Sequence, residues 1–354
     1  MNIPNIQAKF TEYKIDALLL FTPQNIRYAA GFPVDDGAVL ITREKAWLFT
    51  DSRYIEAARA GVRGAEAVQF TRDKPLPACL KEALASCGAK AVGAEEDSLS
   101  HRQWQTYEEK LGVTLICAGT LVKSLRAVKQ PHEIESITAA QRIAEKALDE
   151  VLGLIRPGIT EREIAAELTY RMLLHGGEGN AFDPIAVTGK KTSMPHGVPG
   201  DAAVQAGDFV TMDFGCIKNG YRSDMTRTVA VGFATEEMRK VYHTVLKAQE
   251  AGIAAARAGV TGAAVHAAAA EVIGRAGYGE YFGHGFGHSV GLDIHESPNA
   301  SPLNTQPLPA GAVVTAEPGI YLPGKFGVRI EDMLCITETG AVNLTTAPKE
   351  LLVL

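Results

Sequence analysis

The dipeptide Asn219-Gly220 constrains this chain more than any other pair of neighbours in it. In DFVTMDFGCIKNGYRSDMTRT it separates two β-rich runs. Asn-Gly is the preferred centre of a two-residue type I′ hairpin turn, because both central positions need a positive φ. Such a turn sets the register: Lys218 pairs with Tyr221, and counting outward places Asp213 opposite Thr226. Asp224, two residues before Thr226, becomes a diagonal neighbour of Asp213 on the same face. Two carboxylates then point the same way, within reach of one ion.

A second acid pair lies in VVTAEPGIYLPGKFGVRIEDMLCIT, where Pro323-Gly324 marks a turn and Glu317 and Glu331 stand equally far from Gly324. Across such a hairpin they face each other, and directly opposed like charges destabilise a sheet unless a cation, a shared proton or solvent relieves them. Either pair alone reads as exposed strand acids. Two pairs in one apolar-flanked β region point to a site. Four carboxylates with an imidazole make a hard, oxygen-rich set that suits manganese, cobalt or zinc and is too rich in carboxylate for a structural zinc knot. Four negative charges exceed what one divalent ion neutralises, so two ions about 3.5–4 Å apart, bridged by carboxylates and a water, are the better match.

Imidazoles are concentrated in GHGFGHSVGLDIHE, which holds His284, His288 and His295 among four glycines. It is not an HExxH helix, and its glycines favour extended or turning backbone. His288 and His295 are seven apart, an odd offset that puts them on opposite faces of an unbroken strand, so without a bend at most one is a direct ligand. The other is free for proton transfer or hydrogen bonding. His196, in the turn-rich KKTSMPHGVPG, is a fourth candidate, while His101, His132, His175, His243 and His266 fall in helical or surface contexts.

The chain around these motifs has 354 residues, enough for two domains at a soft prior of about 150 each. Residues 1–125 read as an α/β domain, with strands at Ala17–Phe21, Ala38–Thr42, Trp47–Thr50 and Val113–Cys117 and a helix at Pro75–Ser86. Asp51, Arg53 and Tyr54 in FTDSRY read as a strand-end turn before a helix. The boundary falls in LRAVKQPHEIES, and the second domain spans 131–354. Pro131 opens a helix reaching Ile155, Thr160 and Glu163 form a capping box for the next, and alanine-rich helices follow at Glu236–Ala258 and Gly262–Ala276, where the alanines suggest tight packing. A net charge of -6 argues against nucleic acid, and no apolar run reaches the roughly 20 residues of a membrane span. Five scattered cysteines without a CxxC pair read as reduced thiols, and the expected location is the cytoplasm.

With Asp213, Asp224, His288, Glu317 and Glu331 in that order, the chain resembles the aminopeptidase P and proline dipeptidase (prolidase) family. TMDFG, SDMTRT, GHGFGHSVGLDIHE, TAEPGIY and RIED carry the resemblance in the second domain, and NIRYAAGF is its trace in the first. It implies a mixed α/β (α+β) architecture, an N-terminal creatinase-like domain followed by a pita-bread metallopeptidase domain. It also implies that the five residues hold two divalent ions, with manganese the expected metal and cobalt or zinc as alternatives. His288 is then the histidine ligand, a choice strand parity leaves open. His196 and His295 become the non-ligand catalytic histidines, His284 lines the substrate pocket, and Arg329, two residues before Glu331, supports the site. The implied reaction is hydrolysis of the bond before proline in a proline-containing peptide, by a hydroxide between the metals whose proton Glu317 accepts. A homodimer is implied as well, in which the first domain narrows the partner's active site.

Creatinase and scaffold proteins of this fold lack the ligands that are all filled here, which weighs against a non-enzymatic peptide-binding module. Methionine aminopeptidases share the ligands but usually lack a domain like residues 1–125, which weighs against a broader aminopeptidase. A Xaa-Pro dipeptidase must hold a free carboxylate, for which arginine is the natural partner. HESPNAS carries Asn299 where related prolidases often carry arginine, so the expectation is an aminopeptidase P-like enzyme, with prolidase as the alternative.

Overall fold

The structure, a computed structural model, describes residues 2–354. The chain divides into two compact units, Met1–Arg126 and Ala127–Leu354. No helix among the described residues is long and apolar enough to cross a membrane.

The first unit is built on a six-stranded sheet of β1 (Ala17–Leu20), β2 (Gly37–Thr42), β3 (Ala46–Thr50), β4 (Glu66–Gln69), β5 (Ala91–Ala94) and β6 (Thr114–Cys117), ordered β4-β3-β2-β1-β5-β6. β1 runs antiparallel to β2 and parallel to β5. Leu19, Leu40, Phe49, Leu80 and Val92 form part of its core. β1, β2, β3 and β6 coincide with expected strands to within a residue, whereas β4 and β5 were not anticipated. EAVQ and AVGA are four-residue strands of modest β-propensity, recruited by parallel pairing to β3 and β1. Asp51 does occupy a strand-end turn, where its Oδ1 accepts the Arg53 N–H at 2.8 Å before the Ile55–Gly61 helix.

In the second unit the helix from Pro131 ends at Leu152, short of Ile155, because Gly153 caps it. The next, Glu161–Leu174, opens on the Thr160–Glu163 capping box. Both pack on a sheet of β8 (Ile185–Thr188), β9 (Phe209–Phe214) and β12 (Met225–Ala230), burying Ala144, Leu148, Ile164, Leu168, Met212 and Phe214. β7 (Gly179–Asn180), β10 (Cys216–Lys218) and β11 (Tyr221–Arg222) form a three-stranded sheet. Asn219 and Gly220 turn β10 into β11 at φ 51° and 77°. Lys218 pairs with Tyr221 and Asp213 with Thr226, the register the turn demands.

The remaining strands are β13 (Gly287–Ser289), β14 (Glu296–Ala300), β15 (Val313–Ala316), β16 (Gly319–Leu322), β17 (Phe326–Arg329), β18 (Asp332–Ile336) and β19 (Ala341–Asn343). They form a sheet ordered β14-β13-β15-β18-β19 and a β16-β17 ribbon. The alanine-rich helices, Glu236–Ala255 and Gly262–Arg275, end earlier than expected and bury Val241, Val245, Ala248 and Val265 against Phe286, Val314 and Ile330. In the first of them Ala256 turns extended at ψ 117°, which stops the helix.

Candidate metal centre

Three of the four acids emerge where ladders break. Between β9–β12 and β10–β11 the hairpin is pinched at Gly215, where a Cβ would lie 1.9 Å from the Ser223 carbonyl oxygen, and Asp224 follows that pinch. Glu317 and Glu331 stand opposite each other by count, since Ala316 pairs with Asp332 and Gly319 with Arg329. They are not opposed within a hydrogen-bonded ladder, however. Glu317 donates its N–H to the Phe286 carbonyl at 2.8 Å and Glu331 to the Thr226 carbonyl at 3.1 Å. Pro318 has no N–H to continue the pairing. Asp213, by contrast, stays inside the β9–β12 ladder.

One donor atom each from Asp224, His288 and Glu331 lies within 4.8 Å of the others. His288 Nε2 is 3.5 Å from Asp224 Oδ2 and 3.4 Å from Glu317 Oε1. Its Nδ1 is 3.2 Å from the Ser289 carbonyl, which can only accept, so the proton sits on Nδ1 and the Nε2 lone pair faces the acids. Burial lowers the His288 pKa and keeps the ring neutral.

Burial, then the charges of Asp213 and Glu317, raise Asp224 well above the ordinary carboxylate range. Burial with Asp224 and Glu317 does the same to Glu331, and burial raises Glu317. Three acids whose pKa values burial and one another's charges raise are the electrostatic mark of a cation site. Asp213 Oδ1 and Asp224 Oδ1 are buried with no hydrogen-bond partner among the described residues. Orphaned carboxylate oxygens beside a neutral imidazole fit divalent cations.

Hydroxyls and a guanidinium orient this set. Thr226 donates to Glu331 Oε2 at 2.7 Å and Thr315 to Glu317 Oε1 at 2.9 Å. Arg329, 4% exposed, reaches Asp213 Oδ2 with Nη2 at 2.5 Å, the Tyr321 hydroxyl with Nη1 at 2.9 Å and Thr226 Oγ1 with Nε at 3.1 Å. Tyr321 then meets His284 Nε2 at 2.9 Å. His284 Nδ1 faces the Gly285 carbonyl at 2.8 Å, so both of its ring nitrogens are engaged within the protein.

A cavity of about 1040 Å³ opens over the acids, and His196, His284, His288 and His295 all line it. The other five histidines do not. The unbroken strand assumed between His288 and His295 does not exist: the chain turns after β13, with Gly291 N–H donating to the Asp293 carbonyl at 3.0 Å, and the two rings stack edge-on at 4.4 Å. Glu296 pins the turn by accepting from Asp293 N–H at 3.0 Å and from the buried Lys129 at 3.0 Å. Thr226, Thr315 and Tyr321 were not singled out for roles in the site. Tyr321 lies an even four residues after Glu317 in TAEPGIY, a same-face signal present in the sequence.

Residues 135–338 match metallopeptidase family M24, and residues 3–128 match the creatinase/prolidase N-terminal domain. The solved Xaa-Pro dipeptidase from Bacillus anthracis is 38% identical, with a TM-score of 0.96 over 100% of this chain and 99% of its own. The X-Pro aminopeptidase from Thermotoga maritima is 37% identical, with a TM-score of 0.93 over 98% of this chain and 100% of its own. A Xaa-Pro dipeptidase of Pyrococcus furiosus is 37% identical over 343 residues, 96% of each chain.

Proposed function

The chain belongs to metallopeptidase family M24 and is a hydrolase of the pita-bread aminopeptidase P/prolidase kind; from that premise we propose that it removes the N-terminal residue preceding a proline, as a Xaa-Pro aminopeptidase. The observation that carries the reading is the convergence of the buried acids Asp224 and Glu331, the partly buried Asp213 and Glu317 and a neutral imidazole, with Asp213 Oδ1 and Asp224 Oδ1 left without a partner among the described residues. We assign Asp213, Asp224, His288, Glu317 and Glu331 as ligands of two divalent ions, with manganese the first choice and cobalt or zinc accepted by the same donors. Bound there, such a pair supplies an activated water and a Lewis acid for the scissile carbonyl.

The chain's own groups have distinct tasks. Glu317, its Oε1 held by the Thr315 hydroxyl, is placed to take a proton from the attacking water. His295, whose pKa partial burial lowers, and His196 hydrogen-bond to the scissile group and help bring a proton to the prolyl nitrogen, which leaves only when protonated. His284 serves as pocket wall, and Arg329 holds Asp213 and Tyr321 from behind.

The aminopeptidase reading rests on charge and room. Among the described residues lining the cavity, Arg329 is the only lysine or arginine, and it is committed to Asp213; Asn299 lines the wall where an arginine would serve a free carboxylate. A volume of about 1040 Å³ lies at the upper end of ordinary small-ligand pockets, ample for more than a dipeptide. Five free cysteines suit the reducing cytoplasm, where we place the enzyme, and we expect a homodimer from the resemblance above.

The test compares a Xaa-Pro dipeptide with a Xaa-Pro tripeptide after loading with manganese, cobalt or zinc. Cleavage of the tripeptide alone supports the aminopeptidase, and dipeptide cleavage moves the assignment to prolidase. No turnover of either substrate with any of the metals would sink the Xaa-Pro reading.

A further inference from the structure

The ladders on either side of Glu317 and Glu331 keep one register but are not continuous. One ends on Ala316 and Asp332, the other begins on Gly319 and Arg329, and between them the two strands bond elsewhere. The carbonyls of Ala316 and Ile330, the residues immediately before the two glutamates, are reached by a single side chain. Gln249 Nε2, from the Glu236–Ala255 helix, donates to Ala316 O at 3.0 Å and to Ile330 O at 3.4 Å. Both partners can only accept, so the amide's NH2 must face the gap, and its Oε1 is left buried without a partner among the described residues. Three residues further along, Gly252 lets the same helix face meet Phe286, whose ring would lie 2.2 Å from a Cβ there. The Phe286 carbonyl is the one that accepts from Glu317 N–H. The helix is therefore seated directly against the backbone from which both acids emerge.

Packing does not call for a glutamine at this position. Gln249 is fully buried on a helix face that also buries Val245 and Ala248, and an unpartnered amide oxygen there is unfavourable. A methionine or leucine would fill the volume without that penalty. What the glutamine adds is one NH2 group spanning two strands at the point where their own pairing stops.

We propose that Gln249 is a positioning residue of the metal centre: by holding the Ala316 and Ile330 carbonyls on one amide, it sets the separation of Glu317 and Glu331. The proposal rests on the assignment of those glutamates as ligands. Metal–ligand distances tolerate only about 0.2 Å, and partners that orient ligands change metal affinity or activity by about 10–100-fold.

Gln249→Met keeps the length of the side chain and removes both donors. We expect it to weaken cobalt binding in calorimetry by about 10–100-fold. At saturating cobalt it should alter the visible absorption of the bound metal, and on a Xaa-Pro tripeptide it should lower kcat while KM stays within about twofold. A residue that merely packs would lower the melting temperature of the metal-free protein and leave cobalt affinity and spectrum unchanged; that result overturns the proposal. Gln249→Asn, which keeps the amide one methylene shorter, carries the same test where the methionine variant does not fold, and wild-type cobalt affinity in it is again the overturning result. The unsubstituted protein is titrated first: failure to bind cobalt there removes the ligand assignment itself, whereas normal binding there and in both variants removes only the role of Gln249.

Discussion

A neutral ring with its proton fixed on one nitrogen is what makes His288 suited to be a ligand. The Ser289 carbonyl holds that proton on Nδ1, while Nε2 lies 3.4 Å from Glu317 and 3.5 Å from Asp224. His288→Ala should empty one of the two proposed ion positions, seen as one ion fewer per chain by elemental analysis after dialysis. His295 stacks on His288 but has no carboxylate within ion-pairing distance among the described residues. His295→Ala should therefore keep both ions and lower kcat by about 10²–10⁴-fold; lost metal in that variant would mean the two roles had been exchanged. The acids add a pH signature. Asp224 and Glu331 hold protons well above the ordinary carboxylate range, and a proton must leave before a cation binds. Metal affinity should therefore fall as pH is lowered, and calorimetry in buffers of different ionisation heat should show protons released on binding.

At the level of elements, two hairpins present acids where their ladders break. The first could be read from the sequence because its turn is local: Asn219 and Gly220 need only their own positive φ values to set Asp213 across from Thr226. The pinch at Gly215 could not be read, because it depends on how closely Ser223 approaches. Gly215→Ala places a methyl group on the Ser223 carbonyl, 1.9 Å away, and overpacking of this kind costs about 1–3 kcal/mol. A lower urea midpoint together with weaker metal binding is the expected result. An unchanged midpoint would show that the hairpin yields at no cost. The second hairpin keeps the count its turn implies but not the bonding, since its strands leave each other for Phe286 and Thr226. The alanine-rich helix behind it, read as packing alone, also carries Gln249.

At the scale of the whole molecule, the proposed ligand set joins segments more than a hundred residues apart, from Asp213 on β9 to Glu331 beside β18. Metal that binds only the folded arrangement stabilises it, by about 2.7 kcal/mol at a hundredfold excess over Kd. Chelation should accordingly lower the melting temperature in scanning calorimetry, and restored manganese should raise it again; a melting temperature indifferent to chelator would show that the acids bind no ion. Turn types, helix caps and the chemical kinds of donor that the motifs hold are local quantities, legible in the sequence alone. Each depends on backbone dihedrals and on spacing within a few residues. Only the tertiary structure decided which histidine faces the acids, that Arg329 lies behind Asp213 and Tyr321, and that one glutamine spans two strands. Those are matters of packing between segments distant in the chain, and no local pattern records the distance at which two such segments come to rest.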